Sequence, residues 1–296
     1  MQTASRANPT RSGEIPATRP GRPRATRHPR WLLITATVTI GAAVTGCSGP
    51  SAPPASAPAR TATATPPPLA TASSSPQLCA SGTAAEAFWL SGLNGRELLE
   101  ANVIGTGSTA VVFMHQTDRS GMCGFWAFAT WLAQNYGIRA VLFNRCDYGR
   151  SICTQYPSGT ASVVAQTQPA VQWAYAHGAK RVVLFGASVG AGDALEAAGL
   201  VPGISAVVAV SDAGNDTTVD QNVDARKDDV PTLFAVAPLD PLAPLATIQR
   251  LYSEVPGAPK KIIVLNGDAS MHGFQLLTAP SSLAVSLATW ILQPTS

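Results

Sequence analysis

Arg181-Val-Val-Leu-Phe-Gly-Ala-Ser-Val-Gly190 is the stretch that decides the fold. A short β-branched run predicts a strand, and the Ala-rich segment Ala191 to Leu200 behind it predicts a helix. Between them, Gly186-Ala-Ser188-Val-Gly190 has the Gly-x-Ser-x-Gly spacing of a nucleophile elbow. On such a strand-to-helix turn the serine Oγ stands exposed above the sheet edge. The flanking glycines leave room where a Cβ would crowd neighbouring backbone. The helix that starts at once offers amide N–H groups and a positive dipole end to an oxyanion. Gly and Ser are common enough to meet in an ordinary βα turn; the strand before and the helix after single this one out.

A nucleophilic serine needs a base, and the chain has four histidines. His28 lies in an Arg-rich N-terminal tail. His177 ends a helix, where the helix dipole favours it. His115 ends the strand Ala110-Val-Val-Phe-Met-His115, two strands before the elbow. His272 lies in the polar loop Asn266-Gly-Asp-Ala-Ser-Met-His-Gly273, after the apolar strand Lys261-Ile-Ile-Val-Leu265. A base on the loop after the last strand gives the chain order Ser, Asp, His, so His272 is the expected base. The acid should leave the strand between them. Asp240 follows Pro231-Thr-Leu-Phe-Ala-Val-Ala237 and emerges at that strand's C-terminal end, where it can orient a histidine tautomer. Its bland alternative is an Asp-Pro turn or helix cap. Asp212, one strand earlier, is the competitor, with Asp268 and Asp147 behind it.

These motifs resemble those of the α/β-hydrolase family, over roughly residues 85–294. Phe113-Met-His115-Gln116 is similar to the family's His-Gly oxyanion segment. Phe143-Asn-Arg-Cys-Asp147-Tyr-Gly149-Arg-Ser151 is similar to an altered Asp-x-x-Gly-x-Gly-x-Ser turn. The elbow and the Asp240–His272 pair complete the set. The resemblance implies an oxyanion hole of backbone N–H groups from Val189 and from either Gln116 or Thr117. Gln116 departs from the pattern, standing where the family has glycine.

Alternating apolar strands and helices predict an α/β fold: a mostly parallel sheet covered on both faces, with no large cap domain. Strands are expected over 110–115, 138–144, 181–186, 204–210, 231–237 and 261–265. Helices are expected near 122–136, 161–177, 189–200, 244–253 and 281–292. Residues 86–104 could add antiparallel edge strands. About 215 residues suffice for one such core and not for two.

The N-terminus reads as an export signal. Residues 1–30 carry seven arginines against one acid, and Trp31 to Thr45 is apolar but short for a membrane span. Val44-Thr-Gly-Cys47 resembles a lipobox, which implies a diacylated Cys47 as the mature first residue. A plain secretory signal or an uncleaved anchor is the alternative. The expected organisation is a signal peptide over 1–46, a Pro/Ala/Ser/Thr-rich tether over 47–78 and the hydrolase domain over 79–296. Processing after residue 46 leaves 13 basic residues against 16 acidic ones, a net charge of −3, so nothing argues for a nucleic-acid partner. The four cysteines beyond Cys47 match no zinc spacing and suit an oxidising compartment. Of three connectivities, Cys146–Cys153 and Cys79–Cys123 are favoured over free thiols.

The expected chemistry is hydrolysis of a small acyl ester by Ser188, His272 and Asp240, with no metal or organic cofactor, in a monomer lipid-anchored outside the cytoplasm. The alternative is a binding lipoprotein, or a hydrolase fold with other chemistry, since fold does not fix function. An intact Ser/Asp/His set argues against a dead scaffold. The acidic interval from Asp212 to Val230 has almost no large apolar residue, which predicts an open pocket lined by Phe128 and by Trp126, unless Trp126 belongs to the core.

Overall fold

Five runs of buried residues form the centre of the sheet in the computed structural model, which describes residues 71, 75–80, 84–93, 95–154, 159–214, 229–257, 259–267 and 269–293. They are β3 (Thr109–Met114), β4 (Arg139–Phe143), β6 (Arg181–Ala187), β7 (Ile204–Val210) and β8 (Thr232–Val236). Each is apolar on both faces, as a parallel sheet with helices on either side requires. Alternate residues divide between two cores. Val112, Met114, Val182 and Leu184 point into one with Leu195 and Ile248. Val111, Phe113, Val183 and Phe185 point into the other with Phe125, Leu132 and Leu287.

The sheet continues at both ends. β1 (Ala85–Ser91) and β2 (Glu97–Ile104) form an antiparallel hairpin, and β2 runs antiparallel to β4. At the other edge, β9 (Lys260–Val264) lies parallel to β8. The order is β1-β2-β4-β3-β6-β7-β8-β9. The edge strands expected over 86–104 are this hairpin. The expected helices are α1 (Trp126–Tyr136), α2 (Thr160–Ala176), α3 (Val189–Ala198), α4 (Leu245–Glu254) and α5 (Ser282–Leu292). No further domain interrupts the alternation among the described residues. The chain divides into Met1–Ala62 and Thr63–Ser296, and every described residue falls in the second unit.

Three short elements escape a periodicity reading. The segment Gly121–Phe125, expected within α1, is a 3-10 turn. A second 3-10 turn, Gly273–Leu276, follows His272 directly. β5 (Ile152–Cys153) is only two residues long and pairs with Glu97 and Leu98 of β2. It closes the turn after β4, which the Cys146–Cys153 disulfide spans. Buried polar groups fix that turn: Glu100 Oε2 accepts from Asn144 Nδ2 at 3.0 Å and from Arg150 N at 2.9 Å. The start of the domain is stitched to the same strand, where Asn102 Oδ1 accepts from Cys79 N at 3.0 Å. Cys79 is also bonded to Cys123. Both favoured disulfides are thus present.

Candidate active site

The strands β3, β6, β7 and β8 run parallel, so their C-terminal ends share one edge of the sheet, and the site residues leave from there. Ser188 sits between β6 and α3 with φ +55° and ψ −122°, a conformation that L-residues rarely adopt. Its amide donates to Val210 O at 2.9 Å, and its carbonyl accepts from Ala191 N at 2.9 Å. A Cβ on Gly186 would overlap the Gly190 carbonyl, and one on Gly190 would overlap the Met114 carbonyl. The glycines flanking the serine are therefore demanded by backbone packing.

His272 reaches the serine from a loop 84 residues further on. Its Nε2 lies 2.8 Å from Ser188 Oγ, and its Nδ1 lies 2.8 Å from Asp240 Oδ1. A carboxylate can only accept, so Nδ1 carries the proton and Nε2 is left to accept the serine O–H. Asp240 Oδ1 also accepts the amides of Leu242 and Ala243, each at 2.9 Å. The Asp-Pro turn considered as its alternative role is thus present too, and it aims the carboxylate. The Asp240 side chain is fully buried, and that of His272 is 12% exposed, open enough to meet a reactant.

Asp212 does not join this chain. It is buried at the end of β7, where Oδ1 accepts from Gly214 N at 2.9 Å and Oδ2 has no hydrogen-bond partner. Burial pushes its carboxyl up to about 7; the Gly214 amide opposes that rise, nearby Asp193 reinforces it, and Arg250 opposes it. Asp147 lies in the turn after β4 with φ +69°. Asp268, His28 and Cys47 lie outside the described residues. His177 caps α2, with Nδ1 2.8 Å from Trp173 O and its ring stacked on that tryptophan, as its position at a helix end suggested.

The segment after β3, expected to line an oxyanion hole, is tightly specified. His115 is buried and its pKa is lowered to about 4, first by desolvation and then by Arg145, so the ring is neutral. Its Nε2 accepts the Arg145 amide at 3.1 Å, which leaves Nδ1–H to donate to Gln116 O at 2.8 Å. The Asp118 amide donates to the same carbonyl at 3.0 Å. In a trans peptide the next N–H, that of Thr117, points the opposite way. Val189 opens α3, and the first N–H groups of a helix have no partner within it. Both amides are thus of the kind that can bind an oxyanion.

The Gln116 side chain turns the other way along the chain. Its Oε1 accepts the Phe274 amide at 3.0 Å, and its Nε2 donates to Asp118 Oδ2 at 2.5 Å. Nothing in the sequence marks this link, which joins residues 158 apart. Phe128, expected at an open pocket, is instead 1% exposed and packs on Phe185 in the core. Trp126 packs against the same core. Among the described residues, no group of three or more His, Cys, Asp or Glu side chains is placed to hold a metal ion.

No protein-family model and no curated protein matches the chain. Solved structures do match. An esterase from Pyrococcus furiosus superposes with a TM-score of 0.61 at 15% identity, over 76% of this chain and 95% of its own. Est1E from Butyrivibrio proteoclasticus, solved with ferulic acid bound, gives 0.56 at 13% identity, over 70% and 98%. A monoacylglycerol lipase from Paleococcus ferrophilus gives 0.54 at 16%, over 65% and 98%. At such identities the likeness speaks for architecture. The fold is that of the α/β hydrolases.

Proposed function

We propose that the protein is a serine hydrolase that cleaves small acyl esters through an acyl-enzyme. One observation carries this reading: Ser188, His272 and Asp240 form a continuous relay of two 2.8 Å hydrogen bonds at the C-terminal edge of the sheet. Ser188 Oγ bonds to the ester carbonyl carbon while His272 Nε2 takes its proton. Asp240 holds Nδ1–H and stabilises the imidazolium that forms. The amides of Val189 and of Gln116 or Thr117 receive the tetrahedral oxyanion. Collapse expels the alcohol, which takes its proton from His272. Water then attacks the acyl-enzyme by the same route, releasing the acid and restoring the serine. The esterases and the monoacylglycerol lipase among the structural neighbours support an ester as the bond cleaved.

Ser188→Ala should lower p-nitrophenyl acetate turnover by about 10³-fold or more, and a fluorophosphonate probe should label the parent at Ser188. Turnover like the parent's in that variant, or no labelling of the parent, would overturn the reading.

We further propose that the enzyme works outside the cytoplasm, anchored through a diacylated Cys47 after loss of residues 1–46, with residues 47–78 as a tether. The short apolar run, the small residues before Cys47 and two disulfides in the catalytic domain support an exported chain. A net charge of −3 after processing, with a small-molecule substrate, fits a monomer with no nucleic-acid partner.

A further inference from the structure

Besides the bonds of the His272 ring to Asp240 and Ser188 and that of Ala269 O with Leu239 N, three contacts hold the loop that carries His272. His272 N donates to Gln275 Oε1 at 2.9 Å, a contact within the loop itself. The Phe274 ring packs edge-on against Phe125 at 4.6 Å, in space that exists because Gly124 has no Cβ. The third is the Gln116 side chain, whose hydrogen bond joins this loop to the segment after β3. Gln116 Oε1 accepts the Phe274 amide at 3.0 Å, two residues beyond the histidine. A Cβ on Gly273 would overlap that same oxygen, so the amide packs closely against the residue next to His272. The orientation of the amide is not interchangeable. Its Nε2 donates to the Asp118 carboxylate, and a flipped group would set oxygen against carboxylate and NH₂ against N–H.

We infer that Gln116 is a positioning residue: its side chain locks the general base and the oxyanion-binding backbone into one register. The inference rests on the serine-hydrolase reading above. Proton transfer needs His272 Nε2 within hydrogen-bond reach of Ser188 Oγ, while the oxyanion amides must meet the same substrate carbonyl. These two requirements come from loops far apart in sequence, and Gln116 belongs to one while gripping the other. A glycine at this position could not make the link. The role lies in the side chain, so substitution leaves the backbone N–H of residue 116 in place.

The test compares Gln116→Met, Gln116→Glu and the double variant Gln116→Glu/Asp118→Asn with the parent and Ser188→Ala, on p-nitrophenyl acetate. Methionine keeps the volume and removes the acceptor. Glutamate keeps the acceptor but faces Asp118 with a second carboxylate; the asparagine restores a donor there. We expect kcat to fall about 10- to 100-fold in each single variant with KM within about twofold, assayed well below the variant's unfolding temperature. The double variant should recover to within about threefold of the parent. A purely structural role would lower the unfolding temperature without this split between kcat and KM, and without rescue. If Ser188→Ala is inactive but both single variants turn over like the parent, or if the double variant stays as slow as Gln116→Glu, the positioning role is wrong. If Ser188→Ala turns over like the parent, the hydrolase reading itself fails, and this inference with it. Should Gln116→Met not fold, the contrast between Gln116→Glu and the double variant decides alone.

Discussion

Asp212 and Asp240 lie in the loops after the neighbouring strands β7 and β8 and both are buried, yet it is Asp240 that bonds to His272. Replacing each by asparagine should therefore separate two effects. Asp240→Asn removes the negative charge that stabilises the His272 imidazolium, and offers an NH₂ group that can favour the wrong histidine tautomer, so it should lower kcat by on the order of 10³- to 10⁴-fold. Asp212→Asn should leave kcat/KM within about twofold, but change how stability depends on pH.

The sign follows from the burial. The Asp212 carboxyl is held up at about 7 against an ordinary 3.8. Between those values the folded chain keeps a proton that the unfolded chain has released, so stability falls as pH rises. The slope is about 1.4 kcal/mol per pH unit, and the whole window amounts to about 4 kcal/mol. His115 acts in the opposite sense. Its pKa is lowered from 6.5 to about 4, so in that window the unfolded chain holds the extra proton and stability falls as pH falls. The two slopes offset one another in the parent between roughly pH 4 and 6.5. Asp212→Asn should expose the His115 slope, and the variant's advantage over the parent should grow by about 4 kcal/mol from pH 4 to pH 7. Urea unfolding of both proteins at about pH 4.5, 5.5, 6.5 and 7.5 measures it. A difference that stays constant across that range would show that Asp212 is ionised in the folded protein. A loss of turnover matching that of Asp240→Asn would assign the catalytic acid to the wrong strand.

The disulfides close loops of unequal length, so Cys79–Cys123, at a separation of 44, should contribute about 4 kcal/mol and Cys146–Cys153, at a separation of 7, about 2 kcal/mol. Urea unfolding of serine pairs at each bridge ranks them, and four thiols that alkylate without a reductant would refute both. Rates on p-nitrophenyl esters should fall with acyl length and show no jump above the micellar threshold, because Ala213 to Asp229 lacks the apolar residues of a cap; a steady climb to long chains would show otherwise. Intact mass should show diacylglyceryl on Cys47, and Cys47→Ala should release the protein from membranes or leave it unprocessed; unchanged retention with a normal mass would end the lipid-anchor proposal.

Much of this architecture was legible because its signals are local. Fully apolar four- and five-residue runs such as Val182 to Phe185 and Ala206 to Val210 can satisfy their backbones and bury both faces only inside a sheet, and they became its centre. The expected order Ser, Asp, His along the chain selected His272 over His115 and Asp240 over Asp212, although His115 and Asp212 lie nearer to the ends of their strands. What the sequence did not disclose is short or distant. β5 has too few residues to show a period, and the 3-10 turn runs straight into the apolar start of α1, so no break in the pattern separates them. Phe128 was misplaced because an aromatic residue near the oxyanion loop is compatible with either a pocket or a core. Only the packing of Phe185 and Trp131 around it decides.

Gln116 marks the boundary between these two kinds of information. Against the family pattern it reads as a loss, a side chain where glycine is expected and an oxyanion loop put in question. In the fold the same side chain meets the amide of Phe274, and Gly273 beside it leaves the room that the contact needs. Neither residue signals the other, because a glutamine in one loop and a glycine 157 positions later have no shared period, charge or spacing. The pair makes sense only once β3 and the loop after β9 are brought to one edge of the sheet. A departure from a motif can therefore be half of a contact whose other half lies elsewhere in the chain. Here the other half stands next to His272, the base of the proposed mechanism, which is why the side chain at residue 116 is the one to substitute.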